Sequence, residues 1–132
     1  MSKEAERLNG LSDEIIRCAI EVHRHLGPGL LESVYESALA IELGSAELQY
    51  ERQSILPIRY RGYPVGEFRL DLLVEKAIVV EIKSVERMDS VFDAQLLSYM
   101  KLGGFPLGLL LNFNSALLKT GIKRLVNRFP ER

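Results

Sequence analysis

Two carboxylates and a lysine interrupt what otherwise reads as a pair of apolar, β-branched strands: Phe68-Arg-Leu-Asp71-Leu-Leu-Val74, then Val79-Val-Glu81-Ile-Lys83. Burying acids among Val, Ile and Leu is costly unless a cation or a hydrogen-bond partner compensates. An aspartate followed on the next strand by Glu-x-Lys is one arrangement that holds a divalent metal beside a phosphodiester. The bland alternative is a Glu–Lys pair on a solvated strand face, since a short motif of this kind recurs by accident.

Strand parity decides whether the two acids can meet. A three-residue loop at Glu75 to Ala77 sets Val74 opposite Ile78 and Asp71 opposite Glu81. Side chains alternate along a strand, so this register puts Glu81 and Lys83 on one face with Asp71 and Arg69. Val80 and Ile82 then share the other face with Leu70 and Leu72. A two-residue loop would separate the acids. In the first register the set suits Mg²⁺ (or Mn²⁺), which prefers oxygen ligands, commonly one or two carboxylates plus water and substrate phosphate. Such a metal lowers the pKa of bound water and polarises a phosphoryl oxygen. Lys83 is placed to orient the attacking water and to offset charge on phosphorus.

The rest of the chain narrows the classes. A length of 132 residues predicts a single domain over 1–132 with a real core. The formal net charge is −1, so nucleic-acid binding must rest on a local patch or a bound metal. The one cysteine, Cys18, excludes an internal disulfide and fits a reducing compartment. Residues 1 to 14 are polar and mixed in charge, unlike a signal peptide, and the longest apolar run, Leu107 to Leu111, is too short for a bilayer. A cytoplasmic protein with no membrane partner is the expectation.

Ser12-Asp13 offers a helix N-cap, after which Ile15, Ala19, Val22 and Leu26 recur at helical spacing until Gly27-Pro28-Gly29. A second helix starts at once, with Leu31, Val34, Ala38 and Ile41 as its expected buried stripe, and ends near Gly44. From Glu51 the texture changes to β-type runs at Ile55 to Tyr60, Gly66 to Val74 and Ile78 to Val85, with a turn at Arg61-Gly62-Tyr63-Pro64. Asp89-Ser90 precedes a third helix carrying Phe92, Leu96, Tyr99 and Met100 on one side and ending at Gly103-Gly104. Pro106 to Phe113 reads as a fully buried strand. In the tail, Ala116 to Leu118 suits a helical turn, and Gly121 to Val126 a strand or another helix. The order α-α-β-β-β-α-β-tail predicts an α/β fold, a mixed sheet flanked by helices.

Two further segments add polar groups to the acid pair. Gly29-Leu-Leu-Glu32-Ser-Val-Tyr35 opens the second helix and sets Glu32 beside Tyr35 on one face. Gln95-Leu-Leu-Ser-Tyr99 sets a glutamine and a tyrosine one helical turn apart. With these, the chain resembles the GxxExxY protein family within the PD-(D/E)XK nuclease superfamily. Gly29, Glu32 and Tyr35 match the name-giving motif, and Asp71 with Glu81-Ile82-Lys83 the catalytic signature. Gln95 and Tyr99 match the Q-x-x-x-Y element of RecB-like nucleases. The resemblance spans about residues 11–127, including Leu110-Leu-Asn-Phe-Asn114, and departs from the superfamily name at Leu70, where a proline would stand.

The resemblance implies a restriction-endonuclease-like core and a metal-dependent nuclease of DNA or RNA. It implies Glu32, Asp71 and Glu81 as metal ligands, Lys83 as the catalytic lysine, and Tyr35, Gln95 and Tyr99 as supporting or substrate-binding groups. The alternative is a catalytically silent module of the same fold that binds nucleic acid or a protein partner. A domain this small can also act as a homodimer that grips a duplex. Lys119, Lys123, Arg124 and Arg128 form a basic cluster in sequence. It is a solvated surface on the bland reading; on the other, Lys119, Lys123 and Arg124 contact phosphate. Arg59, Arg61 and Arg69 are further cations that sequence alone does not bring together. Gly27-Pro-Gly29 follows a helix rather than a strand and lacks a third glycine, which argues against a dinucleotide site. His23 and His25 are two apart on a helix and make no metal pair, and Cys18 is expected to pack in the first helix.

Overall fold

A computed structural model describes residues 2–130. Helix α1 runs Lys3–Leu26, and α2 Glu32–Ser45. Three strands follow, β1 Tyr50–Tyr60, β2 Tyr63–Val74 and β3 Ile78–Lys83. Then come α3 Ser90–Gly103, β4 Leu107–Asn112, a short 3₁₀ turn at Leu118–Gly121 and β5 Ile122–Val126. The five strands lie in the order β1-β2-β3-β4-β5. Pairing is antiparallel except between β3 and β4, which run parallel because α3 carries the chain across the sheet. The core divides accordingly: one cluster joins α1 and α2 to one face of the sheet, the other joins α3 to the opposite face. The expected mixed α/β architecture and element order are what the structure shows. No described helix is long and apolar enough to cross a membrane.

Several boundaries differ from the sequence reading, each for a physical reason. Helix α1 begins nine residues before Ser12, capped by Ser2, whose side chain accepts from the Ala5 amide at 3.0 Å. Ala5 and Leu8 extend the stripe of Ile15, Ala19 and Val22, so burial carries the helix through Ser12, which is itself buried. Of the stripe predicted for α2, only Ala38 packs against the core. Leu31 is 74% exposed and Ile41 68%, whereas Tyr35, Glu36, Leu39, Ala40 and Leu43 face the core. Strand β1 starts at Tyr50 rather than Ile55: as an edge strand it gains its ladder from β2, and the side chains of residues 50–53 stay exposed, so no alternation marks its first part. In the tail, Ile122–Val126 is a strand on β4.

Two turns and the caps of α3 fix the sheet. Arg61 and Gly62 both take positive φ, 49° and 84°, the two-residue hairpin turn whose twist matches the strands it joins. The Glu75–Ala77 loop also works as expected, setting Val74 opposite Ile78. Asp89 caps α3 through the Val91 amide at 2.9 Å, and Gly104 ends it in the left-handed region. Where α3 crosses β4, a Cβ on Gly108 would stand 2.6 Å from Met100 Sδ, so the missing side chain is what lets helix and sheet approach.

Candidate active site

The β2–β3 ladder pairs Val74, Leu73 and Leu72 with Ile78, Val79 and Val80, and then stops. Beyond it the two acids replace the ladder. The Asp71 amide donates to Glu81 Oε2 at 2.9 Å, and the Ile82 amide donates to Asp71 Oδ2 at 2.8 Å. Each carboxylate thereby satisfies a strand amide that the splayed backbone leaves open. Glu81 is 4% exposed. Burial, with the Asp71 charge second, pushes its carboxyl up to about 8. Burial likewise raises Asp71, with the Glu36 charge adding to the rise.

The alternation expected of β2 breaks at Asp71. Leu72 and Val74 lie in the α1/α2 cluster with Val80 and Ile82, but Leu70 lies in the α3 cluster with Leu73 and Val79. Leu70 therefore does not share a face with Leu72, and Arg69, its neighbour, points away from the face that Val79 and Glu81 share. The cause sits across the ladder. Register runs through Arg52–Leu72 and Ser54–Leu70, and between them Gln53 takes a φ of 51°. That left-handed residue lets two consecutive side chains of β1 reach one target, which straight alternation forbids. Arg52 Nε donates to Glu36 Oε2 at 3.1 Å, and Gln53 Nε2 to Glu36 Oε1 at 2.6 Å. Gln53 Nε2 also reaches Asp71 Oδ1 at 3.5 Å.

Glu36 is thus the helix-borne acid whose charge acts on both Asp71 and Glu81. Sequence reasoning missed it because the wrong stripe of α2 turned it outward. An acid at a buried position of an apolar helix was the available signal. Glu32 has a different place. Exposed at the start of α2, it accepts the Ser84 amide at 3.1 Å, and the Ser84 hydroxyl donates to the Leu30 carbonyl at 2.6 Å. Tyr35 is fully buried; its hydroxyl donates to the Gly27 carbonyl at 2.5 Å and accepts from the Leu30 amide at 3.1 Å. Its ring stacks on Phe113 at 4.5 Å. Glu32, Tyr35 and the Leu30 backbone thus belong to a brace that ties the loop before α2 to the chain leaving β3, directly beyond Lys83.

Lys83 holds its ammonium 4.5 Å from the Phe92 ring centre and lowers the pKa of both acids, yet among the described residues it is within 4.0 Å of no carboxylate. Tyr99 stacks on Phe68 at 3.8 Å, and its hydroxyl is raised by burial and then by the charge of Glu81. Gln95 is exposed one turn earlier on α3. The basic tail residues do not make one strip. Lys123 pairs with Asp93 on the α3 side at 3.0 Å, while Arg124 reaches back to Asn9 on α1 at 2.6 Å and lies over Phe129. Lys119, in the 3₁₀ turn, is exposed. Cys18 is buried in α1 as expected, and His23 is held by the Ser115 carbonyl at 2.8 Å.

Among the described residues no three of His, Cys, Asp and Glu form a ready metal cage. Two carboxylates side by side, both pushed toward protonation, nonetheless suit a cation completed by water and phosphate. In each acid one oxygen is fixed by an amide. Asp71 Oδ1 is met only by the long contact from Gln53, and Glu81 Oε1 takes no hydrogen bond among the described residues.

Searches of curated proteins and of solved structures returned no significant match. The family model of the PD-(D/E)XK nuclease superfamily matches residues 9–125, from α1 to β5 and including every group of the Asp71–Glu81–Lys83 site. The chain therefore belongs to the PD-(D/E)XK nuclease superfamily.

Proposed function

We propose that this chain hydrolyses phosphodiester bonds of nucleic acid with Mg²⁺ or Mn²⁺ held at Asp71 and Glu81. The observation that carries the reading is the interlocked acid pair beside an ammonium that, among the described residues, no carboxylate approaches within 4.0 Å. A structural ion pair would close Lys83 onto Glu81; here the lysine remains open to a third partner. A divalent cation at this position supplies a polarised phosphoryl oxygen and a more acidic water. The remaining work belongs to side chains. Lys83 faces the negative charge that develops on phosphate, in a setting walled by Phe92. Gln53 and Arg52 fix Glu36 behind Asp71, and Phe68 and Tyr99 form an aromatic wall toward Glu81. In this reading Glu36, not Glu32, is the third acid. Glu32 and Tyr35 position the strand end that carries Lys83.

Labelled single- and double-stranded DNA and RNA incubated with the protein in Mg²⁺ or Mn²⁺ test this directly. Cleavage that disappears in Lys83→Ala supports it, and wild type indistinguishable from Lys83→Ala in both metals overturns it. Titration calorimetry adds an independent readout. Mn²⁺ uptake lost in Asp71→Asn supports the site; no uptake by the wild type counts against it and favours a binding module.

A further inference from the structure

Beyond the three paired residues at its β3 end, β2 continues with β1 alone. Residues 55–69 are a two-stranded arm that projects past the rest of the sheet. Its root is anchored: Leu56 and Phe68 pack in the α3 cluster, and Phe68 stacks on Tyr99, the tyrosine that senses Glu81. Its far part is exposed in an unusual way. Tyr60 and Tyr63 are register partners at the tip, 61% and 72% exposed, so both side chains leave one face of the hairpin. Val65 and Ile55 are also exposed.

The charge of the arm differs from that of the chain. Arg59, Arg61 and Arg69 face only one acid within it, Glu67, on a protein whose net charge is −1. Among the described residues none of these arginines pairs with a carboxylate, whereas Arg7, Arg17, Arg24, Arg52 and Lys123 all do. Arg61 instead lies 5.4 Å from the Tyr60 ring centre.

We propose that this arm is a platform for single-stranded nucleic acid. Tyr60 and Tyr63 stack on unpaired bases, and Arg61 at the turn, with Arg59 on the edge strand, meets the phosphates. Exposed aromatic faces interleaved with unpaired cations are the pattern that binds single strands without reading sequence. A duplex hides its base faces from such rings. A second copy of the chain fits less well, since an isologous contact would bring the same arginines against one another. Asp71 follows on the same strand, β2, so the arm and the acid pair are continuous in the chain.

The inference rests on the nucleic-acid reading of the acid site, and the test separates the two. Anisotropy of a labelled oligothymidylate of about 20 nucleotides is measured in EDTA at low salt, where no hydrolysis occurs. Tyr60→Ala/Tyr63→Ala should weaken binding about tenfold or more, while Tyr60→Phe/Tyr63→Phe, which keeps both rings, stays within about threefold. Arg59→Ala/Arg61→Ala should lower the slope of log affinity against log salt by about 1.4. Affinity unchanged in Tyr60→Ala/Tyr63→Ala overturns the arm, as does tighter binding of a duplex of equal length. A wild-type dimer in sedimentation that the same variant dissolves also overturns it. A separate Mn²⁺ cleavage assay bears on the hydrolase reading alone.

Discussion

Asp71 and Glu81 are joined through their backbones as well as their charges: the amide of Asp71 serves Glu81, and the amide following Glu81 serves Asp71. A buried acid and a half-buried one so placed repel, and Glu81 keeps its proton to about 8. The consequence for stability has a definite sign. Below the ordinary glutamate value of 4.5 both folded and unfolded chains carry the proton, and the contribution to stability is full. Between 4.5 and about 8 only the unfolded chain has released it, so stability falls as pH rises and levels off above. Asp71, also raised, adds in the same direction. The metal-free protein should therefore lose thermal stability from about pH 5 to about pH 8 by about 5 °C or more, and Glu81→Gln should flatten that profile. Mn²⁺ should restore the lost stability at about pH 8, since uptake needs the ionised carboxylate. Melting curves of both proteins with and without metal check this. A wild-type profile as flat as that of Glu81→Gln would contradict it.

Gln53 separates stability from activity. A non-glycine residue at a φ of 51° stores about 1 kcal/mol of backbone strain, and here the strain aims its amide at Glu36 and Asp71. Gln53→Gly should relieve the backbone and leave the melting temperature equal or higher, yet lower cleavage about tenfold or more because the two acids lose their common donor. Loss of stability together with activity would make Gln53 a purely structural residue.

That position also explains why the sequence was only partly readable. Val74, Ile78, Val80 and Ile82 declare a paired core by β-branching, and the three-residue loop sets their register. Asp89 and Gly104 mark both ends of α3 by their own chemistry. A parity break has no comparable mark. Gln53 is not a glycine or asparagine, so nothing in the sequence announces its left-handed backbone, and the face of Leu70 was misassigned in consequence. The stripe of α2 failed for a related reason. Leu31, Val34 and Ile41 are apolar but exposed, and the true stripe holds an acid, Glu36, whose partners Arg52 and Gln53 are far away in sequence. The basic cluster near the end of the chain looked continuous because adjacent residues of a strand are adjacent in sequence, although they face opposite ways.

Lys83 should be nearly silent in stability and decisive in catalysis. Among the described residues its ammonium touches Phe92 and no acid, so Lys83→Met, which keeps the aliphatic stem, should shift the melting temperature by only a few degrees, about 1 kcal/mol for an exchanged cation–π contact. Cleavage should fall about 100-fold or more, the scale of removing one preorganised charge from a reacting centre. Lys83 also holds the pKa of Asp71 and Glu81 down, so any residual activity should rise with pH at a higher midpoint than in the wild type. An unmoved midpoint would place the ammonium farther from the acids than the structure does.

Glu32 and Glu36 stand one helical turn apart on α2, and their substitution should have opposite signatures. Glu36→Gln removes the third charge beside Asp71 and Glu81. Both acids then ionise more easily, so the fall of stability with rising pH should weaken, while Mn²⁺ affinity and cleavage drop about tenfold or more through the lost anionic field. Glu32→Gln keeps an acceptor for the Ser84 amide and should change little. Glu32→Ala opens that contact and costs about 1 kcal/mol of stability, with Mn²⁺ affinity retained, because the loop before α2 loses one tie to the end of β3. Calorimetric Mn²⁺ titration of the three variants decides between them. Affinity lost in Glu32→Gln and kept in Glu36→Gln would return the metal-site role to Glu32 and reduce Glu36 to a buried partner of Arg52.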